Sequence, residues 1–205
     1  MDITIIGAGN VGGALGEGWR KAGHMVRYAL RDPASESAKA VEARGFAVAQ
    51  LAQAGAAEVV MLAVPWSAAA GALAGAGALA GKVLIDASNP FTRDFGLSLG
   101  LNDSAGETVA RLAPGARVVK AFNTTGADNM AAAAAFPVKP MMPVAGDDDK
   151  AKAVVLSLAA DLGFEPVDVG PLSAARLLEP LAALWVGQAF GRGFGTKFAF
   201  ALARR

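Results

Sequence analysis

The six residues Gly7-Ala8-Gly9-Asn10-Val11-Gly12 follow an apolar run, residues 3–6, and open a stretch with helical spacing, residues 10–21. A G-x-G-x-x-G between a strand and a helix is suited to holding a pyrophosphate. Gly7 permits the tight turn, Gly9 offers no Cβ to block a phosphate, and Gly12 lets the helix pack close to the strand. The helix N-terminus adds free N–H groups and the positive end of its dipole. Asn10 and Val11, inside the motif, join the three glycines as candidate contacts.

The end of the second apolar run, residues 25–30, bears on which dinucleotide is held. Chains that bind NAD place a carboxylate about 20 residues beyond the glycines, on the ribose 2′-hydroxyl. Here that position is Leu30, and Arg31 follows. A guanidinium grips a 2′-phosphate through two parallel charged hydrogen bonds, where a carboxylate would repel it. The pattern therefore points to NADP(H). Asp32 before Pro33 reads as the cap of the next helix, with the proline at its first position.

What is missing narrows the chemistry. The chain has one histidine, His24, and one tyrosine, Tyr28. His24 falls between the first helix and second strand, at the edge of the sheet opposite to where ligands bind, and reads as structural. No acid–base set for an alcohol dehydrogenase is visible. Direct hydride transfer between two planar redox rings makes no such demand; it needs stacking, a short donor–acceptor distance and exclusion of water. No catalytic side chain is therefore expected. Three loops after successive strands are candidates to frame the rings: Val64-Pro65-Trp66, Ser88-Asn89 within residues 86–90, and Phe122-Asn123-Thr124 within residues 121–126. Each also has a plain structural reading, as strand end, turn or helix cap.

The elements that position these residues alternate. Strand-like runs fall at residues 3–6, 25–30, 46–48, 59–64, 83–86, 117–122, 142–145 and 165–168, with helical stretches between most of them. This order predicts an α/β fold of Rossmann type, doubly wound, with a mostly parallel sheet. Residues 1–170 form the expected NADP-binding domain. Residues 171–205 form a short helical C-terminal extension, built on a long helix over 173–189 and packed on the same domain or at a dimer interface. Asp147-Asp148-Asp149 lacks the spacing of a calcium loop and reads as a helix start, so no metal is expected. The glycines at 191, 193 and 195 read as a flexible tail turn, and Arg204-Arg205 as a solvated end.

Bulk properties exclude further classes. The 205 residues carry 19 Lys+Arg against 18 Asp+Glu, so there is no basic excess for a nucleic-acid backbone. Cysteine is absent, which removes disulfides, thiolate metal sites and cysteine nucleophiles. No run reaches the roughly 20 apolar residues of a membrane helix. The first ten residues lack a signal-peptide pattern, and a cytoplasmic location is expected.

The motifs together resemble the coenzyme F420-dependent NADP oxidoreductases along nearly the whole chain. The stretches concerned are residues 5–12, Val64-Pro65-Trp66, residues 144–148, and residues 168–172 followed by Arg176-Leu177-Leu178-Glu179. The resemblance implies a Rossmann domain with a small C-terminal extension, NADPH across the sheet, a deazaflavin (F420) stacked on the nicotinamide, and a homodimer. The family often has Ser-Arg where this chain has Leu30-Arg31, and a further basic residue in place of Ser35. Residues 85–89 and 119–124 look closer to the reductase domain of the six-transmembrane epithelial antigen of the prostate metalloreductases, which implies a flavin as acceptor. The competing reading from another class is a non-catalytic NADP-binding sensor, with Leu184, Trp185 and Phe190 as a regulatory face.

Overall fold

A computed structural model of the protein describes residues 1–94 and 96–205. Eight strands form one sheet: β1 (Asp2–Ile6), β2 (Met25–Leu30), β3 (Ala47–Gln50), β4 (Val59–Leu62), β5 (Val83–Asp86), β6 (Arg117–Lys120), β7 (Met141–Gly146) and β8 (Glu165–Asp168). Their order is β3-β2-β1-β4-β5-β6-β7-β8. The chain reverses direction of travel across the sheet between β1 and β4, which leaves a crevice at the carboxyl ends of those two strands. The helices are α1 (Asn10–Lys21), α2 (Glu36–Ala43), α3 (Trp66–Gly75), α4 (Ala105–Leu112), α5 (Ala127–Ala131), α6 (Asp149–Asp161) and α7 (Ala175–Val186).

The central strands are apolar at successive positions because both faces are covered. Alternate residues feed two separate cores. Ile3, Ile5, Met61, Ile85 and Val119 face one layer, with Trp19 of α1 and Leu158 of α6. Ile6, Val60, Leu62, Leu84 and Val118 face the other, with Leu73 of α3 and Val109 of α4.

The sheet is mostly parallel, as expected, with one reversal; strand ends, one helix cap and the last helix differ from expectation. The six strands β1 to β6 pair in parallel, but β7 joins β6 antiparallel, Lys120 opposite Ala145, and β8 then runs parallel to β7. A parallel neighbour needs a long crossover. The connection from β6 to β7, residues 121–140, carries only the five-residue α5 and a 3-10 turn at Ala133–Ala135, and no helix long enough to pack across the sheet face. Strands expected to reach Val64 and Phe122 stop at Leu62 and Lys120, and the strand expected at residues 46–48 lies at Ala47–Gln50. The cap of α2 is Ser35, whose Oγ accepts from the Ala38 N–H, and not Asp32. Asp32 instead turns back on the next residues, its Oδ1 accepting from the Ala34 N–H at 2.9 Å. The long final helix is in three pieces: a 3-10 turn (Leu172–Ala174), α7, and a wide π-type turn (Gly187–Gly191). Glycine at both ends of that last turn weakens the α-helical pattern there.

The C-terminal stretch clasps the body. Trp185 stacks on Phe198 with centroids 5.3 Å apart and donates its indole N–H to the Phe198 carbonyl at 2.8 Å. The Phe200 carbonyl accepts from the N–H of Met141, the first residue of β7, at 2.8 Å. Arg204, expected as a solvated end, pairs with Glu165.

Candidate functional site

Two cavities of about 290 Å³ each lie along the crevice. The first is lined by Gly7, Leu30, Arg31, Asp32, Ser35 and Ser37, with Val64 and Ala68 opposite. The second is lined by Gly9, Asn10 and Val11 on one side, Val64, Pro65 and Trp66 on another, and Ser88, Asn89 and Phe91 on a third. The glycine turn stands between them, and Val64 borders both. The two together have the elongated, bipartite shape of a dinucleotide site.

Each glycine of the turn has a distinct steric reason. Gly7 sits at φ 108°, and a Cβ there would stand 2.3 Å from the Ala63 carbonyl oxygen. A Cβ on Gly12 would stand 2.2 Å from the Gly7 carbonyl oxygen, so α1 can approach the turn only without one. Gly9 is different: among the described residues nothing lies within 4 Å of its ideal Cβ. The protein itself does not need glycine there. A side chain there would enter the second cavity, which Gly9 helps to line, above the N-terminus of α1.

Arg31 is exposed at the end of β2 and has no hydrogen-bond or ion-pair partner among the described residues. Its guanidinium reaches across the first cavity toward α3, where a Cβ on Gly71 would lie 3.8 Å from Nη2. Leu30 is buried beside it. Ser37 extends the same rim, its hydroxyl 3.0 Å from that of Ser35 at the N-terminus of α2.

The three loops are not equivalent. Val64-Pro65-Trp66 and Ser88-Asn89 line the second cavity, whereas Phe122, Asn123 and Thr124 line neither and are at most 5 % exposed. The third loop lies behind the second. Phe122 packs edge-on against Trp19 at 5.5 Å and adopts φ 58°, a strained backbone for a bulky residue. Asn123 and Asn89 exchange amide hydrogen bonds, and Asn123 also donates to the Leu178 carbonyl of α7 at 3.2 Å. Asn123 thus braces a cavity residue instead of meeting a ligand there.

Behind Ser88 lies a group of charges that the sequence reading did not single out. Lys120 and Asp86 are fully buried, and Glu179 of α7 is 2 % exposed. Lys120 Nζ lies 2.9 Å from a carboxylate oxygen of each and donates to the Ser88 carbonyl. Asp86 Oδ1 accepts from the Ser88 N–H at 2.9 Å and from its hydroxyl at 2.7 Å. Glu179 accepts from the N–H groups of Ala105 and Gly106 at the start of α4. The signal for these residues was a lysine and an aspartate embedded in apolar strands, where a charge requires a partner. Nearby, Ser104 caps α4, and Glu107 takes two hydrogen bonds from the Arg176 guanidinium at 2.8 and 2.6 Å. That guanidinium holds the Glu107 carboxyl below the usual glutamate range.

The remaining sequence candidates lie elsewhere. His24 bridges the terminal amino group and Asp161, remote from both cavities. Asp148 caps α6, and Asp147 accepts from the Leu172 N–H. Among the described residues no group of three His, Cys, Asp or Glu side chains could hold a metal, and no helix is long and apolar enough to cross a membrane.

The fold and site define a nucleotide-binding Rossmann protein with a bipartite crevice. Residues 2–90 match the family model described as NADP oxidoreductase, coenzyme F420-dependent. A solved protein of Arthrobacter sp. FB24, provisionally assigned as an F420-dependent NADP reductase, is 32 % identical, covering 98 % of this chain and 99 % of that one, with a TM-score of 0.88. The chain belongs to this family of NADP-dependent oxidoreductases. It is also 37 % identical to the rat (Rattus norvegicus) metalloreductase STEAP3 over 103 residues, 50 % of this chain and 20 % of that protein. The chain thus matches about a fifth of that relative's length. A reductive aminase of Aspergillus terreus shares the fold at 23 % identity, with a TM-score of 0.69 and coverage of 94 % and 63 % of the two chains.

Proposed function

We propose that the protein binds NADPH along the two cavities and passes hydride to a planar acceptor, a deazaflavin of the F420 type or a flavin, at the second cavity. The observation that carries this reading is the pairing of open space at Gly9 with an Arg31 side chain that has no partner among the described residues, at the far end of the same crevice. Arg31 and the Ser37 hydroxyl take the 2′-phosphate, and the N-terminus of α2 supplies part of what the absent second basic residue would. The amides of Asn10 and Val11 take the pyrophosphate.

NADPH bound there supplies a hydride, two electrons and one hydrogen nucleus, leaving NADP+ and the reduced acceptor anion. The chain's part is placement. Ser88 spends its hydroxyl proton on Asp86, so the oxygen it presents toward the cavity can only accept, which suits a carboxamide N–H. Val64, Pro65, Trp66 and Phe91 give the second cavity apolar walls that displace water from the stacked rings. The exposed Leu177 and Leu184 of α7 support assembly as a homodimer.

The test is to mix the protein and NADPH with F420, FMN, FAD and riboflavin in parallel and follow NADPH absorbance. Catalysed reduction of at least one of the four is expected. NADPH binding with no reduction of any would leave the non-catalytic sensor in its place.

A further inference from the structure

Glu179 and Asp86 together give the buried lysine more negative charge than it can balance. One carboxylate would neutralise Lys120. Two carboxylates and one ammonium leave a formal charge of −1 among side chains that are 0 %, 2 % and 0 % exposed. Solvent screens such a charge poorly. Every carboxylate in the cluster is also held by further donors: Asp86 by the N–H and hydroxyl of Ser88, Glu179 by the N–H groups of Ala105 and Gly106. The arrangement costs desolvation that an apolar contact between α7 and the sheet would avoid. Glu179 ties α7 to the start of α4 through those two N–H groups, and its charge comes with the tie.

The surplus charge has a direction. Asp86 lies one hydrogen bond behind Ser88, and Ser88 is part of the second cavity's wall. We propose that the Asp86–Lys120–Glu179 cluster biases the redox poise of the nicotinamide held in that cavity, favouring the cationic oxidised ring over the neutral reduced one. At an effective dielectric of about 20, a negative charge about 12 Å away stabilises a cation by an amount that changes affinity about tenfold. The bias favours hydride leaving the coenzyme, hence reduction of the acceptor. This inference rests on the reading that NADP(H) occupies the crevice.

Glu179 is the position at which to test it, because it lines neither crevice cavity. Its replacement by Gln leaves Lys120 and Asp86 as a balanced pair and leaves both Ser88 contacts to Asp86 in place. Dissociation constants for NADP+ and NADPH are measured by titration calorimetry in the unmodified protein, Glu179→Gln and Glu179→Asp. In Glu179→Gln, NADP+ should weaken about tenfold relative to NADPH, whereas Glu179→Asp, which keeps the charge, should hold the ratio to within about twofold. If Glu179→Gln does not fold, Asp86→Asn removes the same charge and should move the ratio in the same direction. An unchanged ratio in either folded neutral variant, or an equal change in Glu179→Asp, would overturn the proposal. Failure of the unmodified protein to bind either coenzyme would overturn the occupancy of the crevice itself, and this inference with it.

Discussion

Asn89 and Asn123 hold each other through two hydrogen bonds: Asn89 Nδ2 donates to the Asn123 carbonyl at 2.9 Å, and Asn123 Nδ2 donates to Asn89 Oδ1 at 3.0 Å. One lines the second cavity and the other is buried behind it. Because Asn123 also donates to the Leu178 carbonyl, the cavity wall is braced against α7. Asn123→Ala removes both of its side-chain bonds and should lower stability by about 1–2 kcal/mol. It should also raise KM for the acceptor more than it lowers kcat. Denaturant unfolding and steady-state kinetics check the two effects. A normal KM in a destabilised variant would show that the brace serves the fold alone.

Gly9 and Gly12 should separate binding from folding. Gly9→Val adds a side chain into space that the described residues leave open, so the variant should fold, with the modest loss that Val brings at the cap of α1, and lose NADPH binding. Gly12→Val drives its Cβ toward the Gly7 carbonyl and should destabilise the fold by several kcal/mol, as overpacking against backbone does. Circular dichroism melts with NADPH fluorescence titration distinguish them. Normal NADPH affinity in folded Gly9→Val would show that the turn serves structure only.

These glycines were legible in the sequence because their constraints are local: a strand, a turn and a helix start within ten residues. Arg31 was legible for the same reason. The bracing of Asn89 by Asn123, and of Lys120 by Asp86 and Glu179, was not. Its partners are 34 and 59 residues apart, and only the parallel pairing of β5 with β6 and the docking of α7 bring them together. The reversal at β7 was hidden as well, since a run of six apolar residues does not disclose its direction. Ser35 displaced Asp32 as the cap because Asp32 satisfies a turn of its own one step earlier.

Glu107 and Arg176 make stability depend on acid. The Arg176 guanidinium depresses the Glu107 carboxyl in the folded protein, so the pair stabilises the fold above the unfolded glutamate value, about pH 4.3, and is lost as pH falls through the folded value. Melting temperature should therefore drop below about pH 4.3. Glu107→Gln should melt lower than the unmodified protein at neutral pH, and the gap should narrow as the acid range is entered. A gap independent of pH would remove the ion pair from the explanation.

His24 should be dispensable for turnover. Its ring nitrogens are 3.1 Å from the terminal amino nitrogen and 3.0 Å from Asp161 Oδ2, and it lines neither crevice cavity. His24→Gln should retain kcat with the best acceptor while losing a little stability. Near-complete loss of turnover in a folded variant with normal NADPH affinity would demand an acid–base step that direct hydride transfer does not contain.

The most direct measurement is the dissociation constant of the unmodified protein for NADPH and for NADH, repeated with Arg31→Ala. Arg31, at the rim of the first cavity and without a side-chain partner among the described residues, is the group proposed to meet the 2′-phosphate. Charged hydrogen bonds of this kind contribute about 1.5–3 kcal/mol. The expected result is roughly tenfold to a hundredfold tighter binding of NADPH, with most of that preference erased in Arg31→Ala and NADH affinity nearly unchanged. Equal affinity of the unmodified protein for the two coenzymes would contradict the account.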